Sequence, residues 1–309
     1  MNKQHHQVLV QEAVKAKFNG TEPLVSKVKP TYPESAEREY RRITKGYVKL
    51  LNETIKEHLP KIFEAYKRER QGESRFDDMR ELDSDVRREI QKASEELEQK
   101  IAAYGLDRFV QKVASMAKNK SIKEWKRIVK KTLGIDLMDD YYRGDFYEQA
   151  LKQWVDENVA KIQSISSETL GSMNDIILKG FARGETITSI TKAIQEEYNL
   201  SKSKAKSIAR DQLATLNSQI TKLQQKDAGC NKYKWSTSHD SRVRDCHREL
   251  NGKIFSWDDP PEMWYETKKR GKVYTGRRCH PGEDYLCRCI AIPVFDYDTV
   301  DVPIKPSDD

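Results

Sequence analysis

Cysteine and histidine side chains are concentrated in the last quarter of this sequence. Four of the five cysteines and three of the six histidines lie between residues 235 and 289. Thiolate and imidazole are the ligands that zinc prefers in proteins, usually in tetrahedral sets. We therefore predict a structural zinc site with these candidate ligands: Cys287, Cys289, His247 and Cys279. The Cys-x-Cys pair contributes most, because side chains two residues apart lie on the same side of an extended strand.

Two other interpretations of these cysteines stay open. The thiols can be small buried apolar groups in a module with a thin core. They can also form a disulfide, but an odd number of cysteines in a long chain, here five, does not suggest a disulfide framework. The N-terminus also lacks the apolar core of a signal peptide. We expect synthesis and retention in a cytosol-like compartment, where disulfides are rare.

A hydrolytic site is a third interpretation of the same region. Asp240, His247 and His280 have the ligand types of a metal-dependent nuclease, which needs an open coordination position. Nothing in their spacing requires it, and the short motifs of common nucleotide-binding and hydrolytic enzymes are absent from the sequence. We predict no catalytic residue and no enzymatic activity. Asp240 with Arg242 or Arg244 is expected to form a buried or half-buried ion pair that fixes a loop.

Long amphipathic helices must position this region. Leucine, isoleucine and tyrosine recur at helical spacing from residue 35 to residue 223. The predicted fold class is mainly α, with long amphipathic helices followed by a small C-terminal α+β module. The predicted organisation is an arm or linker at 1–34, a helical domain at 35–135, a second helical segment at 140–228, an α+β module at 229–296 and a tail at 297–309.

Local signals predict where the elements begin and end. Pro60 is expected to break or kink the first long helix, Ser167 to begin a new helix and Asn199 to end another. Separate helices are predicted at 107–117 and 121–133. In the α+β module we expect a helix at 243–250, strands at 232–237, 253–255, 272–274 and 287–294, and a core that contains Trp235, Leu250 and Phe255. The tail from 296 to 309 is expected to end exposed.

The charge of the chain suggests what it contacts. Charged residues make up 34% of the sequence and the mean hydropathy is −0.85, so the core must be thin. The +7 net charge lies on the first 231 residues, because the remainder carries 14 basic and 14 acidic residues. One basic stretch is a tentative DNA-binding surface or a solvated helix face: Lys120, Lys123, Arg127, Lys130 and Lys131. The acidic pair Asp139 and Asp140 could bind a metal, although a loop is expected there.

The C-terminal motif resembles the signature of the phage Mu F-like minor head proteins, also called head morphogenesis proteins. The resemblance covers roughly residues 145–295, and includes Pro260-Pro261, Pro281-Gly282 and the Cys-Arg-Cys triplet at 287–289. At 209–211 this chain has Ala-Arg-Asp where the family more often has Arg-Thr-Glu. We expect the residues that carry the motif to be structural: Trp235, Thr237, Asp240, Arg242, Arg244, His247, Leu250 and Arg288.

The resemblance implies a role in the head of a tailed phage. Such proteins are minor virion components that enter the procapsid in a few copies and associate with the portal protein. In some phages they contact the packaged double-stranded DNA and leave the head with it. The family implies a place in the interior of the head or procapsid after synthesis in the host cytoplasm, and no enzymatic role. We expect no appended toxin domain and, since no stretch approaches about 20 apolar residues, no membrane span.

Overall fold

The computed structural model describes residues 3–20, 22–72, 84–138, 141–142 and 145–304. The predicted acidic pair Asp139 and Asp140 lies outside these residues. Within them the chain is mainly helical and ends in a small region of antiparallel strands, which confirms the predicted fold class. None of the helices in this part of the chain is long and apolar enough to cross a membrane.

Seven α-helices and two short 3-10 helices are present in the described residues. The acidic first turn of the second α-helix, Glu34 and Glu37, complements the positive end of the helix dipole. The α-helices are α1 (Lys3–Val14), α2 (Glu34–Gly72), α3 (Ser84–Tyr104), α4 (Leu106–Leu133), α5 (Glu148–Ala182), α6 (Ile187–Asp227) and α7 (Asp245–Leu250), and the 3-10 helices are Lys15–Lys17 and Asp145–Tyr147.

Several predicted helix breaks are wrong. Helix α4 is continuous across the predicted gap between 117 and 121, α5 runs through Ser167, and α6 runs through Asn199. Helix α2 also continues past Pro60. The proline removes one helical hydrogen bond, but Pro60 and Lys56, whose carbonyl loses its donor, are both exposed. Water can therefore satisfy that carbonyl, and the helix does not need to end.

The described chain divides into two compact units. The helical unit contains Arg38–Lys112 and Val155–Ala209, and the mixed unit contains Met1–Glu37, Val113–Trp154 and Arg210–Asp309. The main core of the helical unit is formed by apolar faces of α2, α3, α5 and α6. Two rings are central to it, since Tyr66 and Phe181 stack with their centroids 3.9 Å apart. Such stacking adds to the free energy gained by burying the rings.

The mixed unit contains a four-stranded antiparallel sheet and a separate two-stranded ribbon. The strands are β1 (Leu24–Val25), β2 (Lys232–Ser236), β3 (Ile254–Ser256), β4 (Glu262–Thr267), β5 (Gly271–Arg278) and β6 (Ile290–Phe295). The sheet order is β1-β6-β2-β3, with Tyr233 opposite Pro293 and Phe255. Strands β4 and β5 pair only with each other among the described strands and form the β4–β5 ribbon.

Two strand predictions need correction. Strand β4 was not expected, because Glu262–Thr267 follows a proline pair and lacks clear alternation of apolar residues. Strand β6 begins at Ile290, so Cys287 and Cys289 precede it in irregular backbone and do not lie on a strand. The reason that the two thiols approach one point is therefore not the pleat of a sheet.

The N-terminal arm and the described part of the tail belong to the mixed unit. Val10 and Val14 of α1 are fully buried, and β1 adds an edge to the sheet by pairing with β6. The tail is expected to end exposed, and its last residues lie outside the described part of the chain, but Val300 and Val302 within the tail are fully buried. Both termini therefore contribute apolar side chains that the thin core of this unit needs.

The turn after α6 generates a test of this packing. Gly229 has φ +73°, and a Cβ atom added there would lie 1.7 Å from the carbonyl oxygen of Thr299. Gly229→Ala should therefore lower the free energy of unfolding by well over the roughly 1–2 kcal/mol that a left-handed backbone costs alone. Gly276→Ala is the matched control, since Gly276 has φ +72° with open space around it. Urea denaturation measures both, and equal losses would contradict the close approach.

Candidate metal centre

His247, Cys287 and Cys289 form a buried cluster in the mixed unit. Their candidate ligand atoms all lie within 4.8 Å of one another. The Nδ1 atom of His247 is 3.6 Å from each of the two sulfurs. Zinc bonds of about 2.3 Å to sulfur and about 2.0–2.1 Å to nitrogen, at a tetrahedral angle, place nitrogen and sulfur about 3.5 Å apart. The spacing of these three atoms therefore fits three corners of a zinc site.

The other ring nitrogen of His247 is held by Asp284. Its Nε2 atom is 3.2 Å from Oδ2 of Asp284, and both side chains are buried. A neutral ring that donates its proton through Nε2 leaves the Nδ1 lone pair directed toward the thiols. Metal-binding histidines usually donate their second nitrogen to a carboxylate or a carbonyl in this way.

Asp284 also contacts two arginines and the backbone. Arg244 donates to its carboxylate at 2.7 Å, Arg277 lies 3.1 Å away, and the amide of Tyr285 donates at 2.9 Å. Burial alone would raise the pKa of Asp284, but the hydrogen bond from His247 and the charge of Arg244 hold it at about 2. The carboxylate is thus charged, buried and surrounded by donors.

The cluster shifts the pKa values of its own members. Burial alone would lower the pKa of His247, but its hydrogen bonds to Asp284 and Cys287 outweigh burial and raise the pKa to about 9. The hydrogen bond from Cys289 and that from His247 lower the pKa of Cys287 well below its usual value, despite burial. The same hydrogen bond to Cys287 and burial raise the pKa of Cys289. These shifts favour one thiolate beside a protonated imidazole ring, and a metal ion would displace the ring proton when it binds.

Helix α6 positions the loop that carries the two cysteines. Asp211 accepts a hydrogen bond from the amide of Leu286 at 2.7 Å. Leu286 has φ +52°, which is a strained conformation for a branched residue. A Cβ atom on Gly282 would lie 3.1 Å from the carbonyl oxygen of Ala214, so glycine permits the loop to approach the helix. Asp211 and Gly282 together fix the loop against α6.

The predicted Asp–Arg pair is only partly correct. Asp240 contacts Arg242, with 3.3 Å between the charged atoms, and also Arg288. Arg244 instead contacts Asp284, as described above. The side chain of Asp240 is 32% exposed and that of Arg242 is 69% exposed, so this pair lies closer to the surface than a half-buried pair. The carboxylate of Asp240 therefore joins its own loop to the Cys-Arg-Cys triplet.

The apolar side of the motif forms the core of the module. Trp235 is fully buried, with its ring centroid 5.5 Å from that of His247, and Leu250 is also buried. Phe255 is only partly buried and packs against the edge of this core. Thr237 donates through its amide and its hydroxyl to Asn251. Trp235 thus packs against the ring of His247, and Leu250 belongs to the same core.

The remaining cysteines and histidines that were candidates lie elsewhere. Cys279 is buried but is not in the three-residue group, and burial raises its pKa to about 11. His280 accepts from Lys222 at 3.3 Å and bonds to Tyr233 at 3.0 Å, and burial lowers its pKa to about 4. All five cysteines are free thiols. His280 is therefore a hydrogen-bonded core residue.

The basic residues of α4 are largely compensated. Lys120 and Arg127 both contact the buried carboxylate of Glu124, and Lys130 contacts Asp136. Lys123 and Lys131 are exposed and have no ion-pair partner among the described residues. The tentative DNA-binding surface thus presents less free charge than its sequence suggested.

Two residues of the site were missed by sequence reasoning. Asp284 lies in a Gly-Glu-Asp-Tyr segment that reads as an ordinary turn, and Asp211 lies in the middle of a long helix. The only sequence signal for Asp284 was its position between two predicted ligands, Cys279 and Cys287. Asp211 was noted only as the residue at an acidic position of the resembled family, and nothing local pointed to its partner 75 residues away.

Asp284→Asn tests how much the buried carboxylate contributes. The substitution leaves Arg244 and His247 without their counterion, so the free energy of unfolding of the metal-free protein should fall by about 3 kcal/mol. Asp245→Asn is the control, because Asp245 and Arg248 form an exposed pair that should contribute less than about 1 kcal/mol. Urea denaturation at pH 7 measures both variants.

The loss of stability in Asp284→Asn, relative to wild type, should depend on pH. The pKa of Asp284 is lowered from 3.8 to about 2, so its stabilising effect is present above pH 3.8 and is lost as the pH falls toward 2. The difference between wild type and Asp284→Asn should shrink over that interval. A difference that stays constant would mean that charge is not the cause.

Comparison with known proteins shows which family the region of this site resembles. Residues 172–292 match the family model described as Phage Mu protein F like protein. A protein of Haemophilus influenzae, described as an uncharacterized protein, is 26% identical over 257 residues, which cover 83% of this chain and 53% of the relative. The chain therefore spans about half the length of that relative. No solved structure matches the chain significantly. The family match includes His247, Asp284, Cys287 and Cys289, so over residues 172–292 this chain is similar to phage Mu F-like proteins.

Proposed function

We propose that this chain is a minor head protein of a tailed phage that acts in head morphogenesis. The observation that carries the proposal is the phage Mu F-like match over residues 172–292, which contains the whole metal-centre cluster. Within the proposal, the protein lies in the interior of the head, contacts the portal protein and enters in few copies. Long helices with one buried face and one charged face suit such a role, because they leave polar surface for partners.

Incorporation into heads tests this function directly. The tagged chain should co-purify with portal protein when both are expressed from the same phage, and antibody should detect it in procapsids purified by sedimentation. Purified procapsids and virions that both lack the protein would reject the proposal.

We propose in addition that His247, Cys287 and Cys289 bind one structural zinc ion. Support comes from the 3.6 Å spacing of the ring nitrogen and each sulfur, the burial of all three residues, and the hydrogen bond from His247 to Asp284. Zinc would join α7 to the segment that leads into β6. Three protein ligands leave one tetrahedral position for water or an external ligand.

Zinc content distinguishes this set of three ligands from the set of four predicted from the sequence, which also contains Cys279. The full chain purified with reductant should contain about one zinc per chain by mass spectrometry, since three ligands of a tetrahedral site are present. Cys287→Ser and Cys289→Ser should each lose most of it and lower the melting temperature. Cys279→Ser is the matched control, because Cys279 is buried outside the group. Equal zinc in all four proteins, or none in wild type, would exclude the site.

We propose that any contact with DNA uses the tip of the β4–β5 ribbon. The tip residues Lys268, Lys269 and Arg270 are exposed and have no charged partner among the described residues, unlike most basic residues of α4. Tyr265 and Tyr274 on the ribbon are 54% and 60% exposed. A two-stranded ribbon fits the major groove of DNA, and free lysine or arginine can neutralise phosphates.

No contact among the described residues favours the nuclease alternative.

Paired charge removals test the position of the DNA contact. The Lys268→Gln, Lys269→Gln double variant should bind duplex DNA more weakly and reduce the salt dependence of log K by about two, one for each lost phosphate contact. The Lys123→Gln, Lys131→Gln variant removes the same charge from exposed positions of α4 and should change binding little. Fluorescence anisotropy at several salt concentrations measures both. Equal losses would mean that total charge, and not the ribbon, determines binding.

A further inference from the structure

A pocket of about 240 Å³ opens beside the metal-centre cluster. Among the described residues, its lining contains no carboxylate. Four arginines line it: Arg210, Arg242, Arg244 and Arg288. We call it the arginine pocket. The arginines come from three separate parts of the mixed unit, namely α6, the loop before α7 and the segment before β6. Donors therefore approach the pocket from several directions.

The nearby carboxylates do not balance this charge. Asp240 is shared by Arg242 and Arg288, and Asp284 is shared by Arg244 and Arg277. Asp211, beside Arg210 in the sequence, accepts from the amide of Leu286 instead. With Arg277 included, five arginines therefore face three carboxylates in and around the pocket.

Arg210 is the pocket arginine whose guanidinium group is unpaired. It lies on α6, is partly buried, and its side chain has no hydrogen-bond or ion-pair partner within the described part of the chain. Its neighbours in the pocket are held in place by Asp240 and Asp284, so their guanidinium groups are oriented before a ligand arrives. Such preorganisation lowers the entropy that binding costs.

We propose that the arginine pocket binds an oxyanion of the phosphate class, with Arg210 as a principal donor and Arg242, Arg244 and Arg288 around it. The planar guanidinium group matches phosphate oxygens with two parallel hydrogen bonds. A tetrahedral anion can accept donors from every side, which suits arginines that come from three segments. The volume is below the roughly 300–1,000 Å³ of typical small-molecule sites, so it fits a phosphate or phosphodiester group and not a whole nucleotide.

The anion site does not require the proposed zinc or the proposed head function. Its donors are arginines, and none of them is a candidate zinc ligand. All three candidate zinc ligands also line the pocket, so a bound Zn²⁺ would add positive charge and tighten the binding of the anion. Measurements with and without zinc therefore separate the two proposals, because phosphate binding should survive chelation.

Calorimetric titration of the full chain tests the proposal with two probes. The first is inorganic phosphate, and the second is a thymidine dinucleotide that has one phosphodiester and no terminal phosphate. Saturable binding of inorganic phosphate alone supports a site for a free or terminal phosphate. Saturable binding of the dinucleotide supports a site for the nucleic-acid backbone. Absence of saturable binding of both probes at low ionic strength overturns the proposal.

Variants place the binding in the pocket. Arg210→Gln should weaken binding by roughly tenfold or more, as expected for loss of a charge-assisted hydrogen-bond pair. The variant should fold, because the side chain of Arg210 makes no hydrogen bond within the described chain, and an unchanged melting temperature checks this. Arg210→Lys keeps the charge but not the fork and should bind with intermediate affinity. Arg248→Gln is the control, since Arg248 pairs with Asp245 outside the lining. Equal affinities of Arg210→Gln and Arg248→Gln would also overturn the proposal.

Discussion

The C-terminal module depends on one buried carboxylate. Asp284 is 5% exposed, and it contacts His247, Arg244 and Arg277 at the same time. An unpaired charge in such a place would be very unfavourable, so the loop that carries Asp284 must lie against α7 and the arginines must turn inward. Once that loop is fixed, Cys287 and Cys289 can reach only the free side of the His247 ring. The metal-centre cluster and the arginine pocket both follow from this arrangement.

Around that carboxylate, the module uses polar contacts where a larger domain would use apolar area. The core of so small a module gains limited free energy from burial. Trp235 and Leu250 supply most of that core next to His247, while Asp211 and Asp240 hold the flanking loops through hydrogen bonds and ion pairs. The strained Leu286 is tolerated because Asp211 satisfies its amide. A bound metal would reinforce a network that is already preorganised.

The long helices show why local signals divided them too often. Serine and threonine weaken a helix when their hydroxyls compete for the backbone, and this made Ser167 look like a helix start. In the helical unit such hydroxyls are used within the helix: Thr169 donates to the carbonyl of Ile165 at 2.6 Å and bonds to Ser201 at 2.7 Å. A buried hydroxyl that is satisfied in this way does not end a helix. That information lies in the partner helix and not in the local sequence.

The sequence by itself determined the class of the fold, the helical periodicity, the resemblance of the C-terminal motif and the residue types of the centre. Those properties are local or compositional, and each can be read from spacing within a few residues. Only the tertiary structure decided that Cys279 stays outside the group, that Arg244 pairs with Asp284 and not with Asp240, and that Asp211 holds a loop 75 residues away. Contacts between distant segments depend on how loops close over helices, and no periodicity in the chain encodes that closure.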